Sequence, residues 1–284
     1  MKGKNVMKNK ISGKIVALLL TLIIVATSGM PLYAKETGDK ANSFRYENGQ
    51  SIAKAVPFST LSPNAWKKID GKYYSGDGSV IEGAVAKGID VSHHQGTVDW
   101  KKAKEDGVEF AIIRCGFGMN QTKQDDAQWF NNVKGCEENN IPYGVYLYSY
   151  ADTVKKAQSE AEHVLRLIKG HTLAYPVYYD IEEKAVLNKL TAEQLGKIAA
   201  TFVNKVKAEG YQTGIYSNKS NFETFLTDSQ FSQWNKWVAQ YNSAACTYKG
   251  TYQIWQGASR YRNNRWGKWS SRYQFCHENY LIKR

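Results

Sequence analysis

The run Pro176-Val177-Tyr178-Tyr179-Asp180-Ile181-Glu182-Glu183 decides the fold. Its apolar and aromatic residues follow one another without a polar alternate, as in a strand covered on both faces, and it ends abruptly in acids. On its C-terminal side, Thr191-Ala192-Glu193-Gln194 forms a capping-box sequence. The stripe Leu195, Ile198, Ala199, Phe202, Val203 and Val206 then fits a helical period and stops near Gly210. On its N-terminal side, Val154, Ala157, Ala161, Val164, Leu165 and Ile168 mark a second amphipathic helix. Further strand-like runs are Gly88 to Val91, Phe110 to Gly116, Tyr143 to Tyr150, Thr213 to Tyr216, Trp237 to Tyr241 and Tyr252 to Trp255. Strand followed by helix, repeated from residue 86 onward, predicts an α/β fold: an irregular (β/α) TIM-like barrel with mostly parallel strands.

The 284 residues, 42% hydrophobic and 23% charged, suffice for one barrel-sized core and exclude a disordered chain or a disulfide-stapled miniprotein. Eight Trp and 19 Tyr exceed what such a core needs, and flat side chains in surplus suit stacking on sugar rings or bases. The net charge of +12 suggests nucleic acid until it is located. Five Lys and no acid lie in residues 1–34, and seven basic residues face one Glu in residues 260–284, so residues 35–259 carry only +1. A basic nucleic-acid-binding face is therefore not expected.

The Lys-rich start, the apolar run Ile15 to Ala26, and then Gly29, Pro31 and Ala34 follow the order of a secretory signal cleaved after Ala34. The run falls short of the ~20 apolar residues of a membrane span, so an extracellular or wall-associated protein with no stable membrane insertion is expected. Residues 35–85 are polar and read as a linker. Within it, Ala65 to Tyr74 resembles one aromatic hairpin of wall-binding repeats, better read as a single hairpin packed on the following domain. Residues 86–284 form the barrel, taken as a monomer. Cys115, Cys136, Cys246 and Cys276 match no metal-binding spacing, and Cys115, inside an apolar run, reads as a buried free thiol.

Barrel enzymes carry their reacting groups at the C-terminal ends of strands. Two of these ends are acidic here: Asp90 in Gly88-Ile89-Asp90-Val91-Ser92-His93-His94-Gln95-Gly96, and Asp180 with Glu182. Residues two apart in a strand share a face, with Cα atoms about 6.5 Å apart, so Asp180 and Glu182 are expected to share one site while Glu183 faces away. Each charge disfavours ionisation of the other, which keeps one acid protonated near neutrality. A proton donor beside an ionised carboxylate is what glycoside hydrolysis requires. The competing readings are a solvated loop and half of a cation site. His93 and His94 lack a ligand spacing, and neither a metal nor another cofactor is expected.

In order along the chain, Asp90-Val91-Ser92 with Gln95-Gly96, Gly144-Val145-Tyr146, Asp180-Ile181-Glu182, Gly214-Ile215-Tyr216-Ser217, Trp237-Val238-Ala239-Gln240-Tyr241 and Ile254-Trp255-Gln256 resemble the motifs of glycoside hydrolase family 25, the Chalaropsis-type lysozymes. The resemblance covers residues 86–256. It implies cleavage of the β-1,4 bond between N-acetylmuramic acid and N-acetylglucosamine in peptidoglycan glycan strands, with Glu182 as the acid and Asp180 and Asp90 shaping charge and orientation. Tyr146, Tyr148, Tyr178, Tyr216, Trp237 and Trp255 are the candidates for lining the sugar groove, with Gln256 as a hydrogen-bonding partner, although aromatics on barrel strands normally fill the interior.

The chain departs from that family after Gln256. The resemblance implies a last strand of the type Gly-X-Val-Asp-X-Asn, yet residues 260–284 contain no Asp and hold five of the chain's eight Arg. A local change of reading frame accounts for this. Back-translated with permitted codons and read one base later, Trp266 to Phe275 can yield Gly-Glu-Asn-Gly-Ala-Val-Asp-Ile-Asn. The alternative is a divergent tail folded another way. In either case the last strand is expected to pair poorly and one acid is missing, so a wall-binding protein with weakened or lost catalysis is the second functional class.

Overall fold

The computed structural model describes residues 46–47, 50–51, 62–241, 245–264 and 267–277, with side chains described over 62–241 and 245–257. All of these lie in one compact unit beginning at Ala34. The signal segment falls outside the described residues, as does much of the linker.

Seven consecutive barrel strands are parallel to their neighbours: β5 (Ala84–Val91), β6 (Phe110–Phe117), β7 (Tyr143–Tyr148), β8 (Val177–Asp180), β9 (Thr213–Asn218), β10 (Asn235–Ala239) and β11 (Ile254–Asn264). β12 (Gly267–His277) runs antiparallel between β11 and β5 and closes the barrel. This overturns the expectation of a poorly paired tail: β12 keeps register with β11 from Ile254↔Cys276 to Asn264↔Gly267, with a single irregularity. A ladder is made by backbone groups, so a change of side chains does not remove it.

The crossovers carry α1 (Trp100–Glu105), α2 (Trp129–Glu138), α3 (Val154–Ile168), α4 (Lys184–Leu187), α5 (Ala192–Ala208) and α6 (Lys219–Thr224). The stripes read on α3, from Ala157 onward, and on α5 pack on the outer sheet face with Val145, Leu147, Val177, Tyr179 and Ile215, whereas Val154 at the start of α3 is exposed. Every residue of β6, β7, β8 and β9 is buried, which explains their unalternated sequences. Thr191 caps α5 in the expected capping box.

The barrel interior is filled by Phe110, Ile112, Tyr146, Tyr178, Tyr216, Trp237, Ala239 and Ile254. The Trp237 ring lies 4.3 Å from that of Tyr216, 5.4 Å from Tyr178 and 5.7 Å from Tyr146, centroid to centroid. Rings of this size fit because small residues face them. A Cβ at Gly214 would stand 2.6 Å from the Tyr178 ring, and one at Gly88 would stand 2.5 Å from the Phe110 carbonyl oxygen.

Two short hairpins precede the barrel: β1 (Tyr46–Glu47) with β2 (Gln50–Ser51), and β3 (Lys68–Ile69) with β4 (Lys72–Tyr73). The first lies in the segment read as linker, where Asn48-Gly49 is a two-residue hairpin signal. The second turns through Asp70 and Gly71, both at positive φ. Its Trp66, Tyr73 and Ile81 pack with Trp255 in a separate buried cluster. Glu109 pins the seam, accepting from the Lys87 backbone N–H at 2.8 Å, from Lys68 Nζ at 3.2 Å and from the Tyr73 hydroxyl. Burial and the Glu109 carboxylate push the Tyr73 phenol up to about 12.

A buried acid also sits in the outer helical layer. Glu160, on α3, is fully buried and accepts from Ser149 Oγ at 2.8 Å, the Tyr179 hydroxyl at 2.5 Å and the Tyr150 backbone N–H at 2.9 Å. Burial outweighs these donors and raises its carboxyl to about 7.

Two outcomes follow. Trp66→Ala is expected to lower unfolding free energy by about 3 kcal/mol in urea denaturation, through lost packing on Trp255; a change under about 1 kcal/mol would show that the hairpin adds nothing to the barrel. Glu160 binds its proton more tightly folded than unfolded, so its contribution is full below about 4.5 and is lost as pH rises through about 7. Glu160→Gln should therefore remove a fall in stability across that window, gaining on the order of 3 kcal/mol over the wild type at pH 8. Parallel stability–pH curves for the two proteins would contradict this.

Candidate active site

Parallel strands bring their C-terminal ends to one mouth, and the predicted acids meet there. Asp90 ends the interior face of β5 and Asp180 is the last residue of β8. Glu182 follows two residues later, and all three are almost fully buried. The Asp180–Glu182 backbone is clamped on both sides. Ser149 N–H donates to the Asp180 carbonyl at 3.0 Å, Ile181 N–H to the Tyr216 carbonyl at 3.0 Å, and Ser217 Oγ to the Ile181 carbonyl at 2.6 Å.

Gln256 links the opposite wall. Its Nε2 donates to Asp90 Oδ2 at 2.8 Å, while its Oε1 accepts from the Tyr216 hydroxyl at 2.9 Å and from the Tyr241 hydroxyl. With Oε1 receiving two phenols, the amide must turn its N–H toward Asp90, an arrangement that suits an ionised carboxylate.

Tyr148 stands amid the acids at the end of β8. Burial first, then Glu182, Tyr150, Glu183 and Asp180 in falling order, pushes its phenol well above the ordinary range, so it remains a hydrogen donor. It donates to Glu183 Oε2 at 3.3 Å. The expectation that Glu183 faces away is corrected: it is buried, and its side chain also caps α4 through the Ala185 N–H at 3.2 Å. Strand alternation stops at Asp180, so the two-residue period no longer sets where residue 183 points.

The aromatic candidates divide. Tyr146, Tyr178, Tyr216 and Trp237 form the packed interior beneath the mouth, where Tyr216 also orients Gln256. Tyr148 stands at the mouth itself. Trp255 is corrected: it neighbours Gln256 in β11, so it points the other way, fully buried with Trp66 at 6.3 Å between ring centroids and donating to the Gln240 carbonyl at 3.0 Å. Cys115 and Cys136 are buried free thiols, as read for Cys115.

Sequence reasoning missed Tyr241, Arg114 and Asp126. Tyr241 stood inside a quoted motif and could have been found as a second phenol beside Gln256. Arg114, in the middle of an apolar strand run, is the stronger missed signal, because an ionic group in a fully buried strand requires a partner. That partner is Asp126, whose Oδ2 lies 2.7 Å from Arg114 Nε. Among the described residues, no cluster of three or more His, Cys, Asp or Glu could hold a metal ion.

The model of glycosyl hydrolases family 25 matches residues 89–266. The chain is 26% identical to an autolytic lysozyme of Clostridium acetobutylicum over 166 residues, covering 58% of this chain and 48% of that protein, so it spans about half the length of that curated relative. The modular autolysin LytC of Streptococcus pneumoniae, solved in complex with a synthetic peptidoglycan ligand, matches with a TM-score of 0.65 at 25% identity, covering 84% of this chain and 62% of that one. A family 25 glycosyl hydrolase from Bacillus anthracis shares the fold, with a TM-score of 0.60 at 17% identity over 69% of this chain and 90% of that one. With a family match spanning more than half its length, six ordered motifs and a barrel whose acids gather at one mouth, this chain belongs to glycosyl hydrolase family 25.

Proposed function

We propose that the chain is a peptidoglycan hydrolase of the extracellular or wall compartment, cleaving the β-1,4 bond between N-acetylmuramic acid and N-acetylglucosamine by general acid catalysis. One observation carries the reading. Three buried carboxyl groups, Asp180, Glu182 and Glu183, act on the single phenol of Tyr148, while Asp90 is fixed on the opposite wall by Gln256. Like charges gathered in a buried site disfavour one another's ionisation, which is the condition under which one carboxyl holds a proton for the leaving group. Glu182, beyond the last strand residue, is the group assigned to deliver that proton to the leaving glycosidic oxygen. Asp180 and Asp90 are assigned to support the positive charge that develops on the sugar ring. The substrate's own acetamido oxygen is the attacking group, which leaves the protein to supply proton and field. The autolytic lysozyme and the peptidoglycan-bound autolysin support this substrate class.

The tail bears on rate. Arg272 of β12 is the register partner of Asp90, and the aspartate of the shifted reading straddles positions 272 and 273. The reading frame change would thus remove an acid from the rim of this site while leaving the strand in place.

Glu182→Gln should lower reducing-sugar release from purified peptidoglycan by on the order of 10³-fold, with the unfolding temperature unchanged. Retention of a tenth or more of the rate would remove Glu182 from the acid role, and wild-type binding without release would identify a wall-binding module instead. Replacing Trp266–Gln274, residue for residue, by Gly-Glu-Asn-Gly-Ala-Val-Asp-Ile-Asn should raise turnover by about 10-fold or more. Unchanged turnover, or a coding DNA lacking the overlapping reading, would dismiss the frame explanation.

A further inference from the structure

A buried ionic network at the same mouth has no part in the mechanism above. β5 leaves the barrel into a short turn, His93–Gln95, locked by a capping box. Ser92 Oγ accepts from the His94 N–H at 3.3 Å, and Gln95 Oε1 accepts from the Ser92 N–H at 2.8 Å. Gly96, at φ +64°, closes the turn. The turn sets the His93 and His94 rings side by side, 4.0 Å between centroids. Asp126, from the segment between β6 and α2, accepts at Oδ2 from Arg114 Nε at 2.7 Å and from the His93 backbone N–H at 3.0 Å, and at Oδ1 from the Gln128 N–H at 2.9 Å. Arg114 Nη2 makes a close contact with His93 Nδ1.

A guanidinium cannot give up its proton and has no acceptor, so the His93 Nδ1 that meets it must present a lone pair. The proton of the neutral ring is then on Nε2. The competing arrangement, Nδ1–H donating to Asp126 at 3.4 Å, would set that hydrogen against the guanidinium. Of the three side chains, Arg114 is 1% exposed and Asp126 0%, whereas His93 is 29% exposed, so the network reaches solvent through one ring whose buried edge is already engaged. Burying an Arg–Asp pair is costly in desolvation, and this pair holds a polar ring three residues beyond Asp90.

We propose that His93 is a substrate-binding residue: a neutral imidazole, fixed as the Nε2–H tautomer by Arg114 and Asp126, that donates to an acetamido carbonyl oxygen of the glycan. The inference rests on the peptidoglycan reading and adds a contact to it. A neutral donor of fixed direction suits a neutral carbonyl, and the two buried ionic residues are positioning residues that never touch the sugar.

The test uses the full chain and soluble N-acetylglucosaminyl-N-acetylmuramyl oligomers. Nitrogen-15 NMR of the histidine rings should show His93 as the Nε2–H tautomer at pH 7 and a shift of its Nε2 signal on adding the oligomers. His93→Ala should raise KM by 10-fold or more with kcat changed less than threefold and the unfolding temperature unchanged. His93→Gln, which returns an N–H near the Nε2 position, should recover most of that loss. An Nδ1–H tautomer, an Nε2 signal indifferent to saturating oligomer, or a His93→Ala variant with unaltered KM would each overturn the proposal while leaving hydrolysis by the wild type intact. Absence of hydrolysis with the His93 signal still shifted by the oligomers would instead overturn the catalytic reading and keep the contact.

Discussion

The hydrogen bond from Gln256 to Asp90 joins residues 166 positions apart, and the mouth of the barrel depends on it. It spans from β11 to β5 across the position of β12, so it can form only when the barrel is closed. Two phenols, Tyr216 and Tyr241, compel the amide to turn its N–H toward the acid, and Tyr216 in turn rests on Trp237 at the centre of the interior. The orientation of one carboxylate is therefore transmitted from aromatic packing rather than from a local turn. A buried acid held this way is pre-organised: its donor is in place before any substrate arrives, and little reorganisation remains for the reaction.

The parts of the fold legible from sequence were those where burial acts on both faces. β6, β7, β8 and β9 appear as unbroken apolar or aromatic runs because water reaches neither side, and α3 and α5 appear as stripes because only one face meets the sheet. The short hairpin β1–β2 was hidden by its length, since two residues per strand leave no period to read. β12 was hidden for a different reason. Its ladder is made of backbone groups, and the arginine-rich composition of residues 260–284 as a whole argued against good pairing of a strand that the neighbouring edges of β11 and β5 nonetheless recruit.

At the site, strand ends pointed to Asp90, Asp180 and Glu182, because position at the end of a parallel strand fixes which mouth a residue enters. Side-chain direction was readable only while the strand lasted. Trp255 and Gln256 are adjacent in β11 and so could not both face inward, a consequence of the two-residue period that the motif resemblance obscured. Glu183 lies past the last ladder pair, Asp180↔Tyr216, where that period ends and the N-terminus of α4 captures the carboxylate. The Arg114–Asp126 pair needed three dimensions: twelve residues separate its members, and only the return of the chain between β6 and α2 brings them to 2.7 Å.

The separation of ladder from side chain also explains how closure and chemistry come apart in this barrel. Closure requires that β12 offer N–H and C=O groups at the right spacing, a demand any non-proline sequence of extended habit can meet, and residues 267–277 contain no proline. Chemistry at the rim requires particular side chains at particular register positions. A run of altered residues along β12 can thus leave the eight-stranded closure and the Gln256–Asp90 bond in place while changing what stands beside Asp90. The strand that seals the barrel by its backbone ladder therefore also places its register positions beside Asp90, the group whose surroundings bear most on turnover.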